Sequence, residues 1–175
     1  PASGAKSGQL GALSADLVLD EAAESTLAAT STLHVARVCE GQQYATTQGT
    51  DLYGKACTMG DAESCAKLGV LYLCGSGSAT GGGGVEKNGA IAATMFEKSC
   101  ALHNTDGCQL HAATLITGIP KRDTARGLRV YAKACDEGSA RACGTLGAIF
   151  MLVGKPEVQT RAVAFVARSC DLGND

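Results

Sequence analysis

LYGKACTMGDAESCAKLG, from Leu52 to Gly69, returns as MFEKSCALHNTDGCQLHA (Met95–Ala112) and as VYAKACDEGSARACGTLG (Val130–Gly147). A shortened fourth copy, FVARSCDLGND, runs from Phe165 to Asp175. The leading cysteines Cys57, Cys100, Cys135 and Cys170 lie 43, 35 and 35 residues apart, and the first three have partners eight positions on, at Cys65, Cys108 and Cys143. Internal repetition of this period belongs to helix-pair arrays, in which each unit buries its apolar face only against its neighbours. Tyr53, Phe96, Tyr131 and Val166 stand four residues before each leading cysteine, one helical turn below it on the same face, and are core positions. Lys55, Lys98, Lys133 and Arg168 put a cation in the last turn, at the negative end of the helix dipole. Gly60, Gly138 and Gly173 follow where a left-handed cap wants glycine, and Asp61, Asn104, Ser139 and Asn174 then offer acceptors to the start of the next helix.

That next helix reads KLGVLYL after Cys65 and TLGAIFM after Cys143, apolar on most faces, so it is the more buried member of each pair. Gly69 and Gly147 keep it thin enough for a neighbouring helix to approach closely. GSGSATGGGG (Gly75–Gly84) and GIPKRD (Gly118–Asp123) connect one pair to the next; the first accounts for the eight extra residues of the longer period and has the composition of a flexible, mobile loop. Upstream, LHVARVCE from Leu33 aligns at offset 35 with LGVLYLCG from Leu68, which sets Cys39 opposite Cys74. Ala22 and Thr30 occupy the places of Cys57 and Cys65, so the first unit lacks the cysteine pair and reads as a terminal cap. The expected architecture is all-α, an antiparallel helix-pair solenoid forming a single repeat domain over residues 1–175. Its units span about residues 10–40, 41–75, 88–118, 122–153 and 157–175, with the Gly-rich insertion at 75–84.

Composition narrows the function. A formal net charge of -2 gives no field that would hold nucleic acid, so that partner is not expected. Aromatics are 4% with no Trp, so the core is built from aliphatics, Ala and a few Tyr and Phe. Gly, Lys, Asp or Glu interrupts every apolar segment before it reaches membrane-spanning length, and a soluble chain without a direct membrane span is expected. Nine cysteines in 175 residues is heavy usage for a reducing cytosol and points to an oxidising compartment. The chain begins at Pro1, consistent with removal of an initiator Met or of a longer targeting segment.

KAC, four to five residues, AxxC, then LG and an aromatic or aliphatic residue resembles the cysteine-rich branch of the Sel-one-like repeat family, relatives of the tetratricopeptide repeats. The likeness covers about Leu10 to Asp175; the Gly-rich insertion, the cysteine-free first unit and the histidines His103 and His111 depart from it. The resemblance implies a right-handed superhelix of helix pairs with a concave protein-binding surface. The family includes secreted bacterial cysteine-rich proteins, some described as penicillin-binding, and a mitochondrial intermembrane-space member that acts in cytochrome oxidase assembly. Within that frame Cys57 with Cys65, Cys100 with Cys108 and Cys135 with Cys143 read as disulfides across short corners, each contributing about 2–3 kcal/mol by loop closure; free buried thiols in a reducing compartment are the alternative. A bridge from Cys39 to Cys74 would join neighbouring repeats. It requires helix ends to converge, because packed axes stand about 8–10 Å apart and bridged α-carbons about 4.4–6.8 Å. Cys170 would pair at position 178, beyond this chain.

Cys100, His103, Cys108 and His111 are a tetrahedral zinc set in type, and a cluster of this kind could also meet haem or copper. Against it, the other copies keep the cysteine spacing without histidine, and His103 stands in a glycine place and His111 in a leucine place. The reading is therefore no bound metal and no cofactor. Ser64 and Lys67 spell the serine-to-lysine spacing of penicillin-recognising enzymes, but neither companion motif occurs. His34 aligns with Gly69 and reads as a packed or surface residue, and the Gly75–Gly84 loop lacks the Gly-Lys-Ser/Thr of a phosphate cradle. The expected function is a non-enzymatic protein-interaction scaffold, an accessory or assembly subunit of a larger complex such as a mitochondrial respiratory one, whose partners are protein subunits. It would work in the mitochondrial intermembrane space, or in a bacterial periplasm or extracellular setting. The alternatives are a metal- or haem-handling protein using the Cys and His cluster, or a penicillin-binding type hydrolase using Ser64.

Overall fold

The structure, a computed structural model, describes residues 20–40, 47–75, 84–153 and 156–173. Among these the regular elements are helices: α1 (Glu21–Glu40), α2 (Thr47–Thr58), α3 (Ala62–Cys74), α4 (Gly89–Ala101), α5 (Thr105–Thr117), α6 (Thr124–Asp136), α7 (Ala140–Val153) and α8 (Pro156–Asp171). From α2 onward each helix packs on the next, so α2/α3, α4/α5 and α6/α7 are antiparallel pairs laid side by side and α8 closes the row against α7. The all-α helix-pair reading holds. The first ten residues of the first unit, Asn174 and residues 76–83 of the Gly-rich loop lie outside the described residues.

The corners form from local chemistry. Asp61, Asn104 and Ser139 accept from the backbone N–H of Ser64, Gly107 and Ala142, three residues into the following helix. Gly60, Gly138 and Gly173 turn the chain at φ of 95°, 97° and 82°. His103, which replaces the glycine of the middle corner, adopts the same left-handed region at φ 61°. A side chain there is strained by roughly 1 kcal/mol or more. His103→Gly is therefore expected to raise the unfolding free energy by about 0.5–1 kcal/mol, read as a higher urea midpoint at unchanged slope; a lower midpoint would show that the His103 side chain contributes more than its backbone costs.

Neighbouring pairs are joined by bonds that the repeat alignment does not reveal. Lys98 reaches past its own helix to donate from Nζ to the Cys57 carbonyl of the preceding corner at 2.8 Å. The cation in the last turn thus caps a neighbouring helix rather than only its own. Ser99 and Ser169, each just before a leading cysteine, donate to the carbonyls of Ala62 and Ala140 at 2.7 and 2.9 Å. Each carbonyl belongs to the first residue of the second-type helix one repeat back.

Small residues set the spacing between repeats. A Cβ on Gly69 would lie 2.5 Å from the Phe96 ring, and one on Gly147 would lie 2.5 Å from Val166 Cγ2. Ala112, fully buried, fills the same position in α5. Gly127, on α6, faces this row from the other side: a Cβ there would stand 2.9 Å from the Ala112 carbonyl and 2.7 Å from Ile116. Backbone cannot yield as a side chain does, so Gly127→Ala is expected to cost about 1–3 kcal/mol by overpacking despite alanine's better helix propensity. Equilibrium urea unfolding measures it; unchanged or increased stability would mean that the two helices can part without penalty.

Helix α1 departs from the expected stack. By sequence only its part from about Ser25 onward occupies a second-type position one repeat before α3; Ala22 and Thr30, in the places of Cys57 and Cys65, lie in the same unbroken helix, so this unit has no corner between them. It nonetheless packs chiefly on α5, with further contact to α7 and α3, so it lies across the face that the second-type helices form together. Residue 34 is one place where α1 differs from the helices it aligns with. Where α3, α5 and α7 present Gly69, Ala112 and Gly147 to the next repeat's aromatic or aliphatic position, α1 presents His34, and the residue it would meet is Tyr53. An imidazole is much larger than the Cβ that is already crowded at Gly69 and Gly147. Tyr53 is half-exposed, whereas Phe96 and Tyr131 are buried.

Candidate functional site

The face formed by α3, α5 and α7, with α1 laid over it, carries two recesses. Asp20 caps α1, accepting from the Ala23 N–H at 2.9 Å. Ala23, Leu27 and Ser31 then recur every fourth residue and are the buried positions of the helix. Leu27 joins the core built by α5 to α8, and Val35, Val38 and Cys39 rest on the smaller core of Val70, Leu73, Phe96 and Leu110. Cys39 is bonded to Cys74 with α-carbons 5.3 Å apart, so the two helix ends do converge. This pins the end of α1 to the end of α3.

Beside α1 two cavities remain. One, of about 340 Å³, is walled by Leu27 and His34 of α1, Tyr131 of α6, and Ile149 and Leu152 of α7. The other, of about 320 Å³, lies between His34 and Val38 on one side and Ala66, Val70, Leu110 and Arg141 on the other. Gln109 lines both, is only 3% exposed, and its Nε2 has no hydrogen-bond partner. A buried amide donor without an acceptor costs free energy, and here it lies in a recess of mixed character, with Thr30, Ser31 and Arg37 beside the first cavity and Glu63, Lys67, Asp106 and Arg141 beside the second.

Two imidazoles feel their burial. His34 is pushed below its ordinary pKa by loss of water and by the charges of Arg141 and Arg37, with Asp106 opposing. Desolvation also lowers His111, with Arg126 assisting and Glu97 opposing, and its Nδ1 has no partner. Folding thus disfavours the protonated form of both. In the unfolded chain they take up protons as pH falls through about 6.5, so the unfolded state binds more protons and stability declines below that pH. The urea midpoint is expected to drop between pH 7.5 and 5.5, and His111→Leu, which restores the residue of the other repeats, should shrink that drop. An unchanged pH dependence in His111→Leu would exclude His111 as a source.

The cysteines expected to pair are bonded: Cys57 to Cys65, Cys100 to Cys108 and Cys135 to Cys143, with α-carbons 4.7, 4.3 and 4.7 Å apart. Cys170 is free and exposed. The disulfide takes both thiolates of the Cys100, His103, Cys108 and His111 set, and the two imidazoles face different surroundings. His103 is exposed, with Nδ1 3.6 Å from Glu137, while His111 is buried near Glu97 and Arg126. Among the described residues no group of three or more His, Cys, Asp or Glu side chains is placed to hold a metal ion. Ser64 is buried, and Lys67 pairs with Glu63 at 2.8 Å and sits over the Tyr53 ring rather than on the serine. Gln109 is marked by no motif of the sequence. Its only signal was a polar residue at a position where the other second-type helices carry Ala66 and Gly144.

Four disulfides in one folded chain belong to an oxidising compartment. Among the described residues no helix is long and apolar enough to cross a membrane.

No family model matches the chain. It is similar to cytochrome c oxidase assembly factor 7 of Xenopus tropicalis, with 32% identity over 123 residues that make up 65% of this chain and 50% of the relative. The chain therefore spans about half the length of that protein.

Proposed function

We propose that the chain is an accessory subunit that assists assembly of a respiratory complex, of the cytochrome c oxidase type, in the mitochondrial intermembrane space. It acts by binding protein subunits and not by catalysis. The observation that carries this reading is the 32% identity to an oxidase assembly factor, over a stretch long enough to take in several repeats. Two features support it. Stapled helix pairs hold an extended surface in place without a large core, which suits a binding scaffold. The disulfides fit a compartment that oxidises cysteine pairs during folding.

The test is depletion of the protein in its native cells, followed by native electrophoresis of the respiratory complexes and fractionation of the organelle. Assembled oxidase is expected to fall to half or less while other respiratory complexes persist, with the chain released by rupture of the outer membrane. Normal oxidase levels in its absence would sink the reading.

A further inference from the structure

We infer that the cavity between α4, α5 and the start of α6 is a binding site for a carboxylate carried on a short aliphatic body, either the last residue of a peptide chain or a free aliphatic acid. The inference does not require the respiratory reading. The cavity measures about 390 Å³, within the range of small-ligand sites. Ala90 and Ala93 of α4, Leu115 of α5 and Ile119 of the connector give it an aliphatic wall. The connector is held against α5, because the N–H groups of Ile119 and Asp123 donate to the carbonyls of Thr114 and Leu115, each at 2.8 Å. Gly89 of α4 closes on it from the other side, where a Cβ would lie 2.6 Å from Ile119 Cγ2.

The polar wall is particular to this unit. His111 stands where the other second-type helices carry Leu68 and Leu146, and Glu97 stands where the other first-type helices carry Gly54, Ala132 and Ala167. Two departures from the repeat thus line one cavity. His111 is only 5% exposed and its Nδ1 has no hydrogen-bond partner, an unmet polar group at the cavity wall. Charge selects what would meet it. Both acids are engaged: Glu97 accepts from Arg126 Nη2 at 2.6 Å, and Asp123 accepts from the Arg126 backbone N–H at 2.9 Å as the cap of α6. Lys121 and Arg122, both exposed, add two further cations from the connector. Three cations against two engaged acids favour an anion, and a carboxylate oxygen can accept from an imidazole Nδ1–H. Its aliphatic body would lie on the Leu115 and Ile119 side.

The experiment titrates N-acetyl-leucine, N-acetyl-leucine amide and hexanoate into the oxidised, isotope-labelled full chain and reads binding from NMR shifts. N-acetyl-leucine or hexanoate is expected to move the resonances of His111, Leu115 and Ile119 saturably, and the tighter of the two tells a chain terminus from a free acid. The amide is expected to bind about tenfold more weakly than N-acetyl-leucine, since it lacks the charge. Lys121→Gln/Arg122→Gln, a change of exposed side chains, is expected to weaken the acid about tenfold. His111→Leu, which restores the residue of the other repeats, should weaken it by a similar factor while the shifts of α7 and α8 stay in place. Amide binding as tight as acid binding would overturn the carboxylate assignment. Failure of both acids to move these resonances, or acid binding that survives both variants, would overturn the site.

Discussion

Phe96→Ala is expected to lower the unfolding free energy by about 3–5 kcal/mol, a third or more of what a domain of this kind possesses. Phe96 is fully buried and is the central side chain of the core shared by α3, α4 and α5, with Val70, Leu73, Ala92 and Leu110 around it. The chain has three Phe and no Trp, so few side chains of this volume exist to compensate. The ring also lies directly against Gly69, where a Cβ would stand 2.5 Å from it. Removing the ring empties that contact as well, and the surrounding helices cannot close on it because Lys98 and Ser99 tie α4 to the preceding corner. A double-mutant cycle sharpens the expectation. Gly69→Ala should destabilise the parent chain but cost little or nothing in the Phe96→Ala background, where space has opened. Guanidinium unfolding of the four proteins measures it; additive effects would show that the two residues do not share a contact.

Loss of a corner disulfide is the second large effect. Cys135→Ser/Cys143→Ser is expected to cost about 2–3 kcal/mol, the loop-closure value for a bridge between residues eight apart, and to lower the melting temperature by about 5–10 °C. Both cysteines are fully buried, so their hydroxyl replacements also sit in apolar surroundings, and the loss should not fall below the entropic figure. The Cys39–Cys74 bridge closes a longer loop, at a separation of 35 residues, and by chain entropy alone would contribute about 1 kcal/mol more. Its removal should nevertheless appear mainly as local opening of α1, because α1 buries few residues of its own. Calorimetry together with hydrogen exchange separates the two. A global loss from Cys39→Ser/Cys74→Ser as large as that from the corner variant would mean that α1 unfolds only with the whole.

The corners could be read because everything that makes them is local. Eight residues separate the bonded cysteines, and the glycine and the capping acceptor lie between them. The aromatic residue four positions before each leading cysteine was equally legible, since one helical turn fixes its face whatever the helix later meets. What escaped were the contacts between units. Lys98 to the Cys57 carbonyl and Ser99 to the Ala62 carbonyl join residues 41 and 37 apart, and a side chain's sequence says nothing of which neighbour's carbonyl comes within reach. The candidate cluster of Cys100, His103, Cys108 and His111 illustrates the converse. Spacing alone put four donors of the right type together, but the left-handed turn at His103 and the disulfide beside it leave the imidazoles in separate environments.

By itself the sequence determined that this chain is a row of cysteine-stapled helix pairs, because helix periodicity, caps and short loop closure are written within each repeat. Where α1 lies was decided only by the tertiary structure. Its residues align in register with α3, and that register correctly set Cys39 opposite Cys74. Register specifies a helix and an apolar face, not which of several apolar faces it will cover. The contacts of α1 lie on α5, α7 and α3. His34 stands in α1 where α3, α5 and α7 carry Gly69, Ala112 and Gly147, and α1 crosses the α3, α5 and α7 face, with the two cavities and the unpaired Gln109 amide beside it: side-chain volume at a packing face is a property of the assembled helices and not of one repeat's pattern.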